Sequence, residues 1–299
     1  MTPDDRLFVF GCGYSASAFV SRLDPSMLAG VTNRSPDKAA DFTARGWKPL
    51  LFGGANADRA PIDAALAETT HFLASIAPGA TGDPVLAAFR QTILERMPRL
   101  AWIGYLSTVG VYGDHGGDWM DETTPLKPVS QRSVERVAAE GAWAAIAASR
   151  NTPLAVLRLS GIYGPGRNAF VNLAEGKARR LVKPGQVFNR IHVDDIAGAL
   201  QMLAEGRIGG IFNVTDDEPA PPQDVVEFAA RLVGAPVPLA TDFDSADLSP
   251  MARSFYGENK RVSNARIKRK GYTFSFPTYR EALAALTGDY AKQASQKPR

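Results

Sequence analysis

A single cysteine, Cys12, occurs in 299 residues. That excludes an intramolecular disulfide and any metal site built on thiolates. Histidine is nearly as scarce, and His71, His115 and His192 are too scattered to read as a metal site. No apolar run approaches the roughly 18 residues that span a bilayer, so no membrane partner is expected. Met1-Thr2-Pro3-Asp4-Asp5 has neither the charged nor the apolar region of a secretory leader, and the cytoplasm is the expected home. A strong charge is missing too, since 34 basic residues against 31 acidic leave a net charge of +3. With no interleaving of basic and aromatic residues, nucleic acid is not an expected partner. Basic residues do gather late, in Lys177, Arg179, Arg180, Lys183 and Arg190, and again in Lys260, Arg261, Lys268, Arg269 and Lys270. Both groups read as solvated faces, the first alternatively as a site for a phosphate- or carboxylate-bearing substrate. Internal repeats and low-complexity tracts are absent as well.

What is present is an ordinary globular composition, 45% hydrophobic, in a chain long enough to bury a full α/β core. The first twenty residues organise it. The apolar run Leu7-Phe8-Val9-Phe10 meets Gly11-Cys12-Gly13-Tyr14-Ser15-Ala16, and helical spacing follows through Ala18, Phe19, Val20 and Leu23. This is strand, tight turn and helix, with G-x-G-x-x-A spacing. One glycine permits the turn, a second lets the backbone approach a pyrophosphate, and the helix start offers unpaired N–H groups to it. A second strand, Leu28-Ala29-Gly30-Val31-Thr32, lies at the distance a βαβ unit requires. Dinucleotide binding is the expectation. At the end of that strand an acidic residue would accept from a free ribose 2′-hydroxyl, but Asn33-Arg34-Ser35 stands there. A guanidinium beside a hydroxyl suits a 2′-phosphate, which points to NADP, unless Arg34 is only a solvated surface charge.

Strand and helix then alternate, which means a parallel sheet. Helical patterns cover Lys38 to Arg45 and Ile62 to Ala67, with a short strand at Pro49 to Phe52 between them. A strand from Thr70 to Ile76 ends in Ala77-Pro78-Gly79, and its exit, Ser75, Ile76 and Ala77, is expected to line the cofactor. Asp83-Pro84 caps and begins the next helix. Leu100 to Leu106 is the fifth strand, closing in Ser107-Thr108, whose hydroxyls lie where ligands bind in an open α/β sheet. Ser130 to Arg150 reads as a long helix with Val134, Val137, Ala138 and Ala142 inside, and with Arg132, Arg136 and Glu140 sharing another face. Pro153 to Leu159 is the sixth strand. Beyond the turn Ser160 to Gly166 the pattern loosens: a helix over Phe170 to Arg180, another through Ala197 to Ala204, a seventh strand at Ile211 to Val214, and a helix from Gln223 to Val233. An irregular stretch from Pro236 to Pro250, a short helix near Asn264, a helix from Tyr279 to Leu286 and a frayed tail over 291–299 complete the reading.

These residues carry a family likeness. The chain resembles the extended short-chain dehydrogenase/reductases, the NAD(P)-dependent epimerase/dehydratase group that includes nucleotide-sugar epimerases. The likeness runs through Gly11-Cys12-Gly13-Tyr14-Ser15-Ala16, Ser107-Thr108 with Val111-Tyr112-Gly113, Asp121-Glu122 before Pro125, Tyr163-Gly164-Pro165-Gly166, and Arg190-Ile191-His192-Val193-Asp194-Asp195. It implies an α/β fold, a Rossmann-like doubly wound parallel sheet with a smaller C-terminal substrate domain and a cleft between them. Residues 1–165 with about 191–214 would form the NADP-binding domain, and 166–190 with 215–290 the substrate domain. The expected strand order is 3-2-1-4-5-6, with the seventh added at the edge.

The resemblance also implies a catalytic helix carrying a tyrosine and, four residues later, a lysine. Counting back from Ala138-Ala139-Glu140, those positions hold Arg132 and Arg136. An arginine does not release a proton near pH 7, so Arg132 cannot serve as the general acid. Arg132 could instead bind an anion or polarise a carbonyl, and Arg136 could still reach the ribose; otherwise both are surface charges pairing with Glu135 or Glu140. This resembles the divergent branch of the family, whose members often lose these groups. Thr108 matches the family's catalytic serine or threonine, and Asp83 is the nearest candidate for its upstream asparagine. Phe188 holds the place of a diphosphate-gripping arginine, with Arg190 two residues on. His192 reads as a structural residue pinning its turn. The expected site is thus Thr108, Arg132, Arg136 and Tyr163 for chemistry, with Gly11, Gly13, Tyr14, Ser15, Ala16, Asn33, Arg34, Ser35, Ser75, Ile76, Ala77, Ser107 and Arg136 around NADP. Hydride transfer to a carbonyl needs a proton to follow, and Tyr105, Tyr112 and Tyr163 are the available phenols. The alternative is an NADP-binding sensor without turnover. A small-molecule substrate, anionic in one reading, and a second copy of the chain in a homodimer are the expected partners.

Overall fold

A computed structural model describes residues 1–53 and 59–295. Its centre is a seven-stranded sheet built from β1 (Leu7–Phe10), β2 (Leu28–Asn33), β3 (Pro49–Leu51), β4 (His71–Ala74), β5 (Trp102–Thr108), β6 (Leu154–Leu159) and β7 (Gly210–Val214). The order is β7-β6-β5-β4-β1-β2-β3, as the alternating pattern predicts. Pairs β1–β2, β2–β3, β1–β4 and β4–β5 are parallel. A sheet covered on both faces needs strands apolar throughout, and β1 and β4 are buried at every position.

Helices α1 (Tyr14–Val20), α2 (Pro36–Ala44), α3 (Ala60–Ala67), α4 (Pro84–Glu95) and α5 (Gln131–Arg150) belong to the first of two compact units, formed by Met1–Val111, Pro128–Arg158 and Ile196–Phe212. Its core gathers Phe8, Phe10, Phe72, Phe89, Tyr105 and Trp143. The anchor of α4 against α5 is Asp83. Its Oδ1 accepts from the N–H of Val85 and Leu86, capping α4, while its Oδ2 accepts from Trp143 Nε1 at 2.9 Å. The inward stripe of α5 differs from the expected one. Ser133, Ala139, Glu140, Trp143, Ile146 and Ala147 are buried, whereas Val134 is exposed and Val137, Ala138 and Ala142 are not among the buried positions. The reason is Glu140, a carboxylate the core accepts because Arg158 neutralises it.

The second unit comprises Tyr112–Lys127, Leu159–Asp195 and Asn213–Arg299. It is a set of short parallel pairs, Gly161–Tyr163 with Arg190–His192, Arg180–Val182 with Ala240–Asp242, and Trp119–Met120 with Arg261–Val262. Three expectations fail in it. The helix expected over Phe170 to Arg180 is the single turn and a half α6 (Ala169–Ala174), because Gly176 at φ +73° closes it and Arg180 already belongs to a strand. The stretch from Pro236 to Pro250 is not irregular throughout, since Ala240–Asp242 pairs as a strand. The chain from 291 to 295 continues the helix Gly288–Ser295 instead of fraying, and 296–299 lie outside the described residues. Among the described residues no helix is long and apolar enough to cross a membrane.

Candidate functional site

The turn after β1 has the geometry its glycines suggest. Gly11 stands at φ +83°, and a Cβ there would strike Ile76 Cγ1 at 2.6 Å. Ile76, expected at the cofactor, is thus the residue that holds the turn closed on one side. Gly13 is the opposite case: the nearest atom to a Cβ built on it is 4.0 Å away, so its outer face is an open cradle for a ligand's backbone approach. The Gly11 N–H donates to Thr32 Oγ1 at 2.8 Å and the Cys12 N–H to the Thr32 carbonyl at 2.8 Å, which locks the turn to β2. Gly13 caps α1 with no side chain, and α1 has no acidic residue in its first turn. No side chain at the cap position competes for the helix start, as an anion site there needs. Tyr14 is exposed beside this turn, whereas Ser15 and Ala16 are buried in α1. Burial of the Cys12 thiol raises its pKa to about 11, so it is an inert thiol at neutral pH.

At the exit of β2, Asn33 Oδ1 accepts from the Ser35 N–H at 2.9 Å, while the buried Asn33 Nδ2 has no partner among the described residues. Arg34 is exposed, and no hydrogen bond or ion pair engages it among the described residues. Two donors therefore stand unmatched at the exit of β2, and no carboxylate among the described residues bonds to either. An open glycine cradle plus an orphaned buried amide fit a phosphorylated dinucleotide. At the exit of β4, Ser75 donates its N–H to the Phe10 carbonyl at 2.8 Å and Ala77 is exposed.

The exit of β5 is organised differently from the sequence expectation. Thr108 is half-buried, and its Oγ1 accepts from the Gly110 N–H at 3.1 Å, leaving the hydroxyl proton available. Ser107 turns inward and donates to Glu140 Oε1 at 2.5 Å. Arg158 completes a buried triad, with Nε 3.2 Å from Oε1 and Nη2 2.7 Å from Oε2 of Glu140. Glu140 thus serves Arg158 and not Arg136, which corrects the i, i+4 pairing. Arg136 Nη1 instead donates to the Leu106 carbonyl at 2.6 Å and to Tyr105 Oη at 3.1 Å. Burial raises the Tyr105 phenol to about 12, against the opposing pull of Arg136, so it stays protonated. Arg132 is exposed, and Glu135 takes its hydrogen bond from Gln131. The two arginines expected to share one cleft thus behave differently: Arg136 is pinned to β5, and Arg132 stands in solvent. Asp83, the candidate for the upstream asparagine, is engaged as the α4 cap and by Trp143 Nε1.

In the second unit, Tyr163 is nearly buried and its Oη has no partner among the described residues. Burial, reinforced by Asp216, pushes its pKa upward, so the phenol is neutral. Tyr112, by contrast, donates its Oη to Asn213 Oδ1 at 2.8 Å. Of the three phenols, Tyr105 and Tyr112 are engaged and only Tyr163 keeps its hydroxyl unmatched. Tyr163 packs edge-on against His192, ring centroids 5.5 Å apart. His192 Nδ1 accepts from the Asp194 N–H at 3.2 Å, and burial lowers its pKa, consistent with a neutral ring that fixes the turn. Arg190 Nη1 donates to the carbonyls of Phe188 and Ala220 at 2.9 and 3.1 Å. Phe188 packs on Tyr256 at 5.0 Å. Sequence reasoning missed Asp216, a buried carboxyl whose Oδ2 has no partner among the described residues and whose pKa burial raises to about 8 despite Arg190. Its only signal was the acidic run Asp216-Asp217-Glu218 after β7. It missed Arg158 as well, though a charge inside an otherwise apolar strand was visible.

Residues 81–215 match the NAD dependent epimerase/dehydratase family. A functionally unknown conserved protein from Silicibacter pomeroyi is 49% identical, with a TM-score of 0.85 over 95% of this chain and 99% of that one. The Escherichia coli protein YeeZ is 31% identical over 192 residues, which cover 62% of this chain and 61% of YeeZ. The match therefore spans less than two thirds of that curated relative. The human epimerase family protein SDR39U1, solved with NADPH, shares the fold at 17% identity and a TM-score of 0.70, covering 95% of this chain and 99% of that one.

Proposed function

We propose, from the match of residues 81–215 to the NAD dependent epimerase/dehydratase family, that the chain is an NADP(H)-dependent oxidoreductase acting on a small carbonyl or hydroxyl compound, nucleotide-sugar-like or otherwise anionic. The observation that carries the cofactor is the exit of β2, where among the described residues Asn33 Nδ2 has no partner, no hydrogen bond or ion pair engages Arg34, and the run Asn33-Arg34-Ser35 holds no acidic residue. Gly11, Gly13 and the first amides of α1 would hold the pyrophosphate, Arg34 the 2′-phosphate, and Ser75 to Ala77 would flank the nicotinamide half. When bound, the dinucleotide supplies or accepts hydride. Thr108 orients the substrate oxygen through its available hydroxyl proton, and the proton donor expected from the sequence, Tyr163 of the second unit, is a neutral phenol whose hydroxyl has no partner among the described residues. Arg132 engages a carboxylate or phosphate of the substrate, since it is exposed and uncommitted while a guanidinium cannot act as the acid. Cytoplasmic placement and a homodimer accompany this reading.

Calorimetric titration with NADPH and NADH tests the cofactor, and equal affinities would refute it. Loss of NADPH absorbance with a panel of carbonyl compounds, nucleotide sugars and acidic carbonyls included, tests turnover. A catalytically silent NADP(H) sensor is the second reading. It is favoured by one observation, that the arginine in the lysine position is bonded to Tyr105 and Leu106. NADPH binding without turnover on the whole panel would select it. Arg132→Ala decides the clamp: unchanged substrate binding and activity would reduce Arg132 to a surface charge.

A further inference from the structure

Arg34 is long, exposed and engaged by no hydrogen bond or ion pair among the described residues, and such a stem loses rotamer freedom when a ligand fixes it. Something that narrows its directions beforehand would lower that cost. The neighbouring strand supplies it. β3 pairs in parallel with β2 so that Leu51 lies opposite Asn33, and the Phe52 N–H donates to the Asn33 carbonyl at 2.9 Å. That register brings Gly53 alongside Arg34. A Cβ built on Gly53 would stand 2.5 Å from Arg34 Cγ, 2.9 Å from Cδ and 3.6 Å from Cβ. The arginine stem therefore runs through the space that any side chain at 53 would occupy. The Gly53 backbone, at φ +140°, is also one that L residues rarely adopt.

Resting on the NADP reading above, we infer that Gly53 is a specificity-determining residue: by lacking a side chain it lets the Arg34 stem lie along the exit of β3, and so sets the preference for a 2′-phosphorylated dinucleotide. Gly53 acts through Arg34 and is a positioning residue. A side chain at 53 displaces the flexible arginine stem more readily than it displaces backbone, so the fold survives while the guanidinium is redirected.

The test is a double-mutant cycle on the full chain, with Kd for NADP+ and NAD+ measured by calorimetry and Tm recorded for each variant. Arg34→Ala should lower the ratio of NAD+ to NADP+ Kd by about tenfold or more, the scale of one lost charge-assisted contact. Gly53→Ala should lower the same ratio by about tenfold, and the double variant should be no lower than Arg34→Ala alone. If Gly53→Ala weakens both cofactors equally, or lowers the ratio further in the Arg34→Ala background, the glycine serves only its own backbone and the inference is overturned. A ratio unchanged by Gly53→Ala but collapsed by Arg34→Ala overturns the inference and leaves the NADP reading standing. A ratio unchanged by Arg34→Ala overturns both. Should Gly53→Ala lower Tm sharply, the ratios are measured at a temperature where the variant is fully folded, and the same comparison decides.

Discussion

In the first unit Ser107, Glu140 and Arg158 direct their hydrogen bonds at one another, whereas in the second Tyr163, Asp216 and Tyr279 surround Arg190 with polar atoms that no described residue satisfies. Both clusters are buried and both contain an arginine and a carboxyl. In the closed cluster each carboxylate oxygen has an N–H or O–H partner, so charge, geometry and burial agree. In the open one, Asp216 Oδ2, Tyr163 Oη and Tyr279 Oη are left over, while the Arg190 guanidinium sits 5.9 Å from the Tyr279 ring. A closed network is a seam between strand and helix. An open one keeps donors and acceptors in reserve, which is what recognition of a ligand requires.

The closed cluster should be the more expensive to break. Removing Glu140 leaves Arg158, 3% exposed, as an uncompensated charge inside the sheet, and strands the Ser107 hydroxyl. Glu140→Ala is expected to destabilise the protein by about 3–5 kcal/mol, read as a lower denaturation midpoint. Replacing both partners, Glu140→Leu with Arg158→Met, should recover most of that loss, because the pair is removed together with its desolvation cost. If the single variant costs under about 1 kcal/mol, water reaches the triad and the contrast between the clusters collapses.

That contrast also marks how far the sequence could be read. The turn after β1, the strand order and the Asp83 cap were legible because each is specified within a few residues: glycine spacing, apolar runs, an acid just before a proline. The inward face of α5 was not. It is centred on Glu140, whose burial makes sense only through Arg158, eighteen residues later and on β6. The early end of α6 was written in Gly176, a left-handed glycine overlooked beside the apolar residues before it. Among the site residues, Arg132 and Arg136 were correctly located on one helix, but which arginine turns inward depends on the Leu106 carbonyl and Tyr105, groups that no spacing on the helix reveals. Close approaches between strands, such as Gly53 against Arg34, have no signature in sequence beyond a glycine among many.

The open cluster should respond to pH. Burial raises the Asp216 carboxyl from an ordinary 3.8 to about 8, so the folded protein holds a proton there that the unfolded chain has released. Stability from this group is greatest below pH 3.8, declines between 3.8 and about 8, and is level above that. The decline approaches about 1.4 kcal/mol per pH unit for one proton. Asp216→Asn, neutral at every pH, should flatten the corresponding slope in denaturant midpoints measured from pH 5 to 8. A wild-type profile with no such slope would mean that Arg190 holds the carboxylate ionised and that the second cluster is a closed ion pair after all.

The smallest expected effect on stability is the most informative about function. The Tyr163 hydroxyl is buried without a partner among the described residues, so its removal takes away a desolvated group and no hydrogen bond. Tyr163→Phe keeps the ring, its edge-on contact with His192 and its place in the apolar cluster with Phe170 and Tyr279. Deleting an unsatisfied polar atom is neutral or slightly stabilising, within about 1 kcal/mol either way. A structural tyrosine would behave otherwise, losing about 0.5–1.5 kcal/mol with its hydrogen bond. If the hydroxyl delivers the proton in turnover, the same variant loses activity by about 10²-fold or more while Tm stays put. Unchanged Tm with unchanged turnover would remove Tyr163 from the chemistry; a Tm lowered in step with activity would show that the hydroxyl had a structural partner and that the cluster around Arg190 is closed.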